Sequence, residues 1–530
     1  MRLTRFPEAA GPVDPSVRYI FISKTTMTFR ALWRSEKLLV GIILVCFLGS
    51  CLFSVYSLSQ SDNSLDQVIG PFALPKVDLK KRLAQHRLHR TALPKVLLED
   101  NKTVKSPGIS EEKHPVFLPH VGLVADSQQQ KQYEDVQEIV EADSNSKQDF
   151  VPRVGINPGQ SNNDKVDIPA AFGEKDFAPP NYNLHVFYYP WYGNPEHNGK
   201  YLHWNHNLIP HWSKQEAKKW PTGRHEPPND VGANFYPSLG AYSSSDPAVI
   251  EHHMQQMRYA GIGVFAVSWY PPEQADNEGQ PSDSLIPALL DAAQKYSLKV
   301  AFHIEPYEGR TDWSLQHSVR YIVDTYGAHP AFYRHTRNGK NLPLFYIYDS
   351  YNLPAKDWKN LLSPSGSHTI RNTAYDAIFL GLLVEMKHKN EIVQGGFDGF
   401  YTYFATNGFT YGSSFTNWKT LKQFANQNKI MFIPSIGPGY VDTRVRPWNE
   451  RNTRKRLNGK YYNDAFQAAF DVNPEIISVT SFNEWHEGTQ VEMAMPKKVG
   501  EYTYNDYTPN SPEFYLKLTR NWSEKFRNLH

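Results

Sequence analysis

The sequence predicts an α/β chain whose C-terminal part is a (β/α)8 TIM-like barrel. Three observations lead there. From residue 183 onward, eight short runs rich in apolar and aromatic residues recur. Segments with a 3.6-residue apolar period lie between most of them. The runs are nearly continuous in apolar character rather than alternating, as expected of parallel strands buried on both faces. Eight such strands interleaved with helices over roughly 340 residues favour a closed barrel over an open doubly wound sheet.

The strands are expected at 185–192 (HVFYYPWY), 263–270 (GVFAVSWY), 299–307 (KVAFHIEPY), part of 341–350 (NLPLFYIYDS), 377–384 (AIFLGLLV), 398–404 (DGFYTYF), 430–437 (IMFIPSIG) and 476–482 (IISVTSF). The fifth is also compatible with a helix. Between them, Asp246-Pro247 is a helix-opening pair, followed by Ile250, Met254 and Met257 on one side. Leu285, Leu289 and Ala292 mark a second helix, and Leu315, Val319, Ile322 and Tyr326 a third. Trp418, Leu421 and Phe424 mark another, and Tyr462, Phe466 and Ala469 the last before the eighth strand. These stripes are packing faces. The first crossover, 193–245, is long and rich in Trp, His, Pro and Gly, and reads as a capping or binding loop.

The N-terminal part reads differently. Residues 38–56, LLVGIILVCFLGSCLFSVY, contain no charge and approach the ~20 residues that cross hydrocarbon as a helix. Basic residues dominate before this run, and Asp62 and Asp66 follow it. The expected organisation is therefore a cytosolic tail (1–37), a transmembrane signal-anchor (38–56), a lumenal stem (57–180) and the barrel (181–530). The stem carries QQQKQ, DSNSKQD and GQSNNDK and shows no sustained period. Sequons at Asn101 and Asn521 are expected glycosylation sites in that topology.

Composition narrows the chemistry. The net charge is only +2 over 530 residues, which gives no broad basic face for nucleic acid. The only two cysteines, Cys46 and Cys51, precede the barrel, so it has no disulfide, thiolate nucleophile or cysteine zinc site. HExxH, GxGxxG after a strand, GxxxxGK[ST], GxSxG and DxD are all absent. His203 and His206 have a usable spacing but no clear further ligands, and are expected to be structural or substrate-contacting. No metal and no cofactor are predicted.

Groups at the C-terminal ends of barrel strands converge on one mouth. By that sorting the mouth holds Tyr189 after strand one, Trp269 and Tyr270 after strand two, and His303 and Glu305 at strand three. Tyr401 closes strand six, Asp442 and Arg444 follow strand seven, and Asn483, Glu484 and Glu487 follow strand eight. A single Glu in a loop is ordinarily a solvated group. Two of them in SFNEWHEGTQ, directly after an apolar strand and among aromatic rings, fit a sugar site better. Pyranose faces stack on rings, and glycosidic cleavage needs a proton donor and a second carboxylate.

The motifs HVFYYPWYGN, YLHWNH, GRHEPPNDVGANFYPSLGAYSS, VSWYPP, FHIEPYEGR, GFDGFYTYFATNGFTYGSS, PSIGPGYVDTRVRPWN and TSFNEWHEGTQ, in this order, closely resemble glycoside hydrolase family 99 over about 182–525. The resemblance implies a retaining endo-acting enzyme that cleaves an internal α-1,2 mannosidic bond in glucosylated high-mannose N-glycans. It further implies a 1,2-anhydro sugar intermediate, no metal, and residence in the Golgi membrane as a single-pass type II protein. On this chain it implies Glu484 as base at the mannose 2-hydroxyl and Glu487 as general acid and then base. It implies sugar contacts for Glu305, Tyr189, Tyr270 and Tyr401, with Tyr270 favouring glucosylated substrate, and further contacts for His303, Asp442 and Arg444. The sequence sets no oligomeric state.

Overall fold

The computed structural model describes residues 171–529, except 277 and 280. Eight strands run in chain order as β1 (Asn181–Tyr188), β2 (Ile262–Trp269), β3 (Lys299–Ile304), β4 (Lys340–Ile347), β5 (Ile378–Leu382), β6 (Gly399–Tyr401), β7 (Met431–Ile433 with Ser435–Ile436) and β8 (Ile477–Val479). Each pairs in parallel with its neighbours, and β8 returns to β1 through Leu184↔Ile477 and Val186↔Val479. Pro434 divides β7. Its first half pairs with β6 and its second half with β8, and the barrel closes through that break. All eight predicted runs contain a strand, including the ambiguous fifth. β1 ends at Tyr188, short of the predicted Tyr192, because Pro190 cannot donate to a sheet.

The helices between strands are α1 (Pro247–Tyr259), α2 (Ile286–Lys295), α3 (Asp312–Tyr326), α4 (Ala355–Leu362), α5 (His388–Gly395), α6 (Trp418–Asn428) and α7 (Lys460–Phe470), and α8 (Phe514–Arg527) follows β8. Asp246 caps α1, its carboxylate accepting the Ala248 amide at 2.8 Å, with Pro247 at the first helical position. The predicted stripes Leu315, Val319, Ile322, Tyr326 and Tyr462, Phe466, Ala469 are buried, the second of them in contact with α8, where Phe466 stacks on Trp522 at 5.2 Å. A stretch before β1 belongs to the same packing: Phe172 stacks on Tyr259 at 3.8 Å. A hairpin strand, Arg334–Arg337, pairs antiparallel with β4.

The long β1–α1 crossover is ordered over the mouth. Trp204, Val231 and Ala233 are fully buried within it, and Trp204 donates to the Tyr242 carbonyl at 2.7 Å. Its backbone also reaches the segment after β8, where Ser238 donates to Met493 at 3.0 Å.

One part of the predicted architecture is corrected. Among the described residues no helix is long and apolar enough to cross a membrane. The expected spanning helix, membrane partner and single-pass Golgi-membrane placement are corrected to what the described residues carry, which is the barrel with no helix of that kind. The expected span at 38–56 lies outside the described residues, as do the tail, most of the stem and Asn101. Asn521 is exposed on α8.

Candidate active site

The turn after β8 is built by its own backbone and hydroxyls. Ser481 accepts the Glu484 amide at 2.7 Å, and the His486 amide donates to a Glu484 carboxylate oxygen at 3.1 Å. Val441, from the loop after β7, donates to the Glu487 carbonyl at 2.8 Å. Gly488 has φ +59°, and a Cβ there would lie 2.7 Å from Val441, so the close approach that fixes Glu487 requires glycine. Glu484 is buried and Glu487 partly so.

Burial pushes the Glu484 carboxyl well above the usual carboxylate range, and the neighbouring Glu487 charge adds to the rise. The His486 amide and the Arg446 guanidinium oppose it. Glu487 is pushed up to about 7, again by burial first, with Arg446 opposing and Asp442 adding. Two carboxyls so placed retain a proton between them near neutral pH, leaving one group able to accept and one able to donate.

A second polar group sits across β2 and β3. Successive strand residues face opposite sides. Ser268 thus points inward and donates to Glu305 at 2.8 Å, while Trp269 points outward. Glu305 is raised to about 8 by burial, with the Ser268 hydrogen bond opposing, and so carries a proton at neutral pH. His303 lies 3.5 Å from the same carboxyl oxygen and bonds Tyr401 through Nε2 at 2.8 Å. Burial lowers its imidazole to about 3, so it is neutral. Arg310 donates to the carbonyls of Tyr348 and Asp349 at 2.6 Å and fixes the end of β4.

Tyr189 joins the two groups. Its hydroxyl is bonded to that of Tyr403, and its phenol is raised by burial and then by Glu484, Glu305 and Glu487. Tyr270 is likewise raised by burial and by Glu305. The structure therefore brings Tyr189, Tyr270, His303, Glu305, Tyr401, Glu484 and Glu487 into one electrostatic neighbourhood.

Four of the predicted contact residues are placed otherwise. Trp269 is fully buried in the layer between sheet and helices, 6.2 Å from Phe302 and bonded to Asp283 at 2.8 Å. Asn483 uses its amide on the Tyr189 backbone, at 2.8 and 2.9 Å. Arg444 pairs with Asp230 and lies over Tyr502 at 4.2 Å. Asp442 is fully buried and receives Tyr440 at 2.9 Å, Arg446 at 3.1 Å and Asn449 at 2.9 Å.

Sequence reasoning missed Ser268, Arg446 and the role of His486. Ser268 stands in a run buried on both faces, so the period of two gives no signal of the side it faces. Nothing local separates Arg446 from Arg444. His486 Nδ1 bonds the Gly232 carbonyl at 2.7 Å, and its buried Nε2 has no partner. His206 packs against it at 4.7 Å, and His203 stacks on Trp191 at 4.5 Å beside Asp276. Among the described residues no three His, Cys, Asp or Glu side chains are grouped as ligands of a metal ion.

Known proteins place this geometry. A profile of glycosyl hydrolase family 99 matches residues 179–528, the whole barrel. The chain belongs to glycosyl hydrolase family 99. It is 61% identical over 353 residues to a glycoprotein endo-alpha-1,2-mannosidase of Xenopus laevis, covering 66% of this chain and 79% of that one. It is 57% identical over 345 residues to a human glycoprotein endo-alpha-1,2-mannosidase-like protein, covering 65% and 76%. The solved GH99 endo-alpha-mannosidase of Bacteroides thetaiotaomicron superposes with a TM-score of 0.60 at 44% identity, covering 65% of this chain and 98% of that one.

Proposed function

We infer that this family 99 chain is a retaining endo-α-1,2-mannosidase acting on high-mannose N-glycans, with glucosylated arms as its preferred substrate. The observation that carries the reading is the pair Glu484 and Glu487, which bracket the turn after β8 and are both raised by burial. The curated relatives named for this activity support the substrate class.

The reaction then runs in two balanced steps. The pair titrates as a unit, and in the bound complex its proton stands on Glu487; Glu484, as carboxylate, takes the proton of the mannose 2-hydroxyl. That oxygen attacks C1 of the same ring while the C1–O bond to the leaving sugar breaks, and Glu487 gives its proton to the departing oxygen. The product is a 1,2-anhydro sugar. Glu487, now ionised, takes a proton from water, which attacks C1. The C1–O2 bond breaks, and Glu484 returns its proton to O2. Two inversions at C1 leave the configuration unchanged. Glu305, protonated at neutral pH, has a donor for a sugar hydroxyl, and Tyr189, Tyr270 and Tyr401 supply rings and phenols around it.

The test is incubation of the purified chain with a monoglucosylated high-mannose N-glycan. Release of a glucosyl-mannose disaccharide, first seen by NMR as the α-anomer, is expected. Free glucose as the only product, or an initial β-anomer, overturns the reading.

A further inference from the structure

The β1–α1 crossover leaves two indoles exposed, Trp212 and Trp220, and the first of them is the more exposed. Trp212 is 56% exposed. It is nevertheless held by neighbours: His211 lies 3.8 Å away, and Trp448 meets it edge-on at 4.9 Å and 89°. Trp448 donates to the Ile209 carbonyl at 2.9 Å, and Ile209 donates to Val445 at 2.8 Å. The two loops are thus tied together directly beneath the exposed indole. An indole that is in water and also fixed in orientation has little entropy left to lose when a flat apolar surface settles on it.

Both loops lead back to the acid pair. Along one, His206 packs on His486 at 4.7 Å. Along the other, Arg446 bonds Asp442 at 3.1 Å, and both bear on Glu487. The aromatic group thus stands on the two loops that also carry His206 and Arg446 to the turn of Glu487. Tyr270 and Glu305 stand elsewhere on the rim, directly after β2 and β3. In the proposed reaction Glu487 protonates the departing oxygen, so the remainder of the glycan leaves the mouth toward the loop that carries Trp448.

We propose that Trp212, buttressed by His211 and Trp448, is a distal subsite that takes the C–H face of a mannose in the leaving part of the glycan. The inference rests on the functional reading above. The ligand class is a neutral pyranose, since the platform offers an aromatic face rather than a charge. Trp212 is a specificity residue and not a catalytic one, because it touches no reacting atom.

The test compares two substrates that share the glucosyl-mannose unit. One carries the full high-mannose N-glycan as leaving group, the other a small aryl group. Trp212→Ala is expected to raise KM for the full glycan by about 3–10-fold, the effect of one stacked ring, with kcat unchanged. Its kcat/KM on the aryl substrate should equal that of the parent chain, and Trp212→Phe should recover most of the glycan KM. Equal losses on both substrates, or no change on the glycan, overturn the subsite. Failure of the parent chain to cleave either substrate overturns the function itself, and the subsite with it.

Discussion

The segment after β8 holds two kinds of buried carboxyl. Glu492 is fully buried and fully engaged: Tyr242 and Trp485 donate to one oxygen at 2.9 Å, and His253 meets the other at 3.2 Å. Glu487 sits in the same segment, yet no hydrogen bond from the described residues reaches its carboxyl group. Glu484 receives one, from the His486 amide. A carboxyl whose lone pairs are all used by the protein is part of the framework. One taken out of water and left with spare hydrogen-bonding capacity is held in readiness for a ligand.

The sharpest way to break this contrast is to remove the charges one at a time. Glu487→Gln and Glu484→Gln keep shape and lose proton transfer. Each is expected to lower kcat on the monoglucosylated glycan by about a thousandfold or more, with glycan binding still measurable by calorimetry. Full activity in either variant would mean that the pair is not the acid and base.

Glu492→Leu should do the reverse, acting on the fold before the chemistry. It removes the acceptor shared by Tyr242, Trp485 and His253, and the expected cost is about 3–5 kcal/mol, read as a lower urea midpoint. A midpoint unchanged from the parent would show that the Glu492 network is not structural.

A smaller effect sharpens the same point through pH. The folded Glu487 pKa of about 7 lies above the ordinary carboxyl value. Its protonated form is therefore favoured in the folded state, and that stability is present at low pH and lost as pH rises through about 7. Glu487→Gln should accordingly be more stable than the parent at pH 8, by about 1–3 kcal/mol, and equal to it near pH 4. In the parent, kcat/KM should fall above about pH 7 as the acid ionises. A flat profile from pH 6 to 9 would exclude Glu487 as the acid.

The barrel was legible because its strands are buried on both faces and its helices carry plain stripes, as in Leu315, Val319, Ile322 and Tyr326. The site was legible as a neighbourhood, because strand ends in a barrel share one mouth. It was less legible residue by residue, for the same physical reason. In GVFAVSWY both faces are apolar, so the sequence does not announce that Ser268 faces inward and Trp269 outward. In DTRVR two arginines stand two apart on a loop, and only the turn after Asp442 decides that Arg446 faces the acids while Arg444 pairs with Asp230. The Asn483 amide looks like a sugar ligand in sequence, yet its partner is the backbone at Tyr189.

The crossover that roofs the mouth has its root in the common core, where Trp204 is sealed and tied to Tyr242. Its tip, at Trp212, is free of that obligation. Variation in this molecule is thus tolerated unevenly along one connection: randomising the root would scramble the whole domain, whereas a library confined to the tip explores new glycan preferences on an intact catalyst.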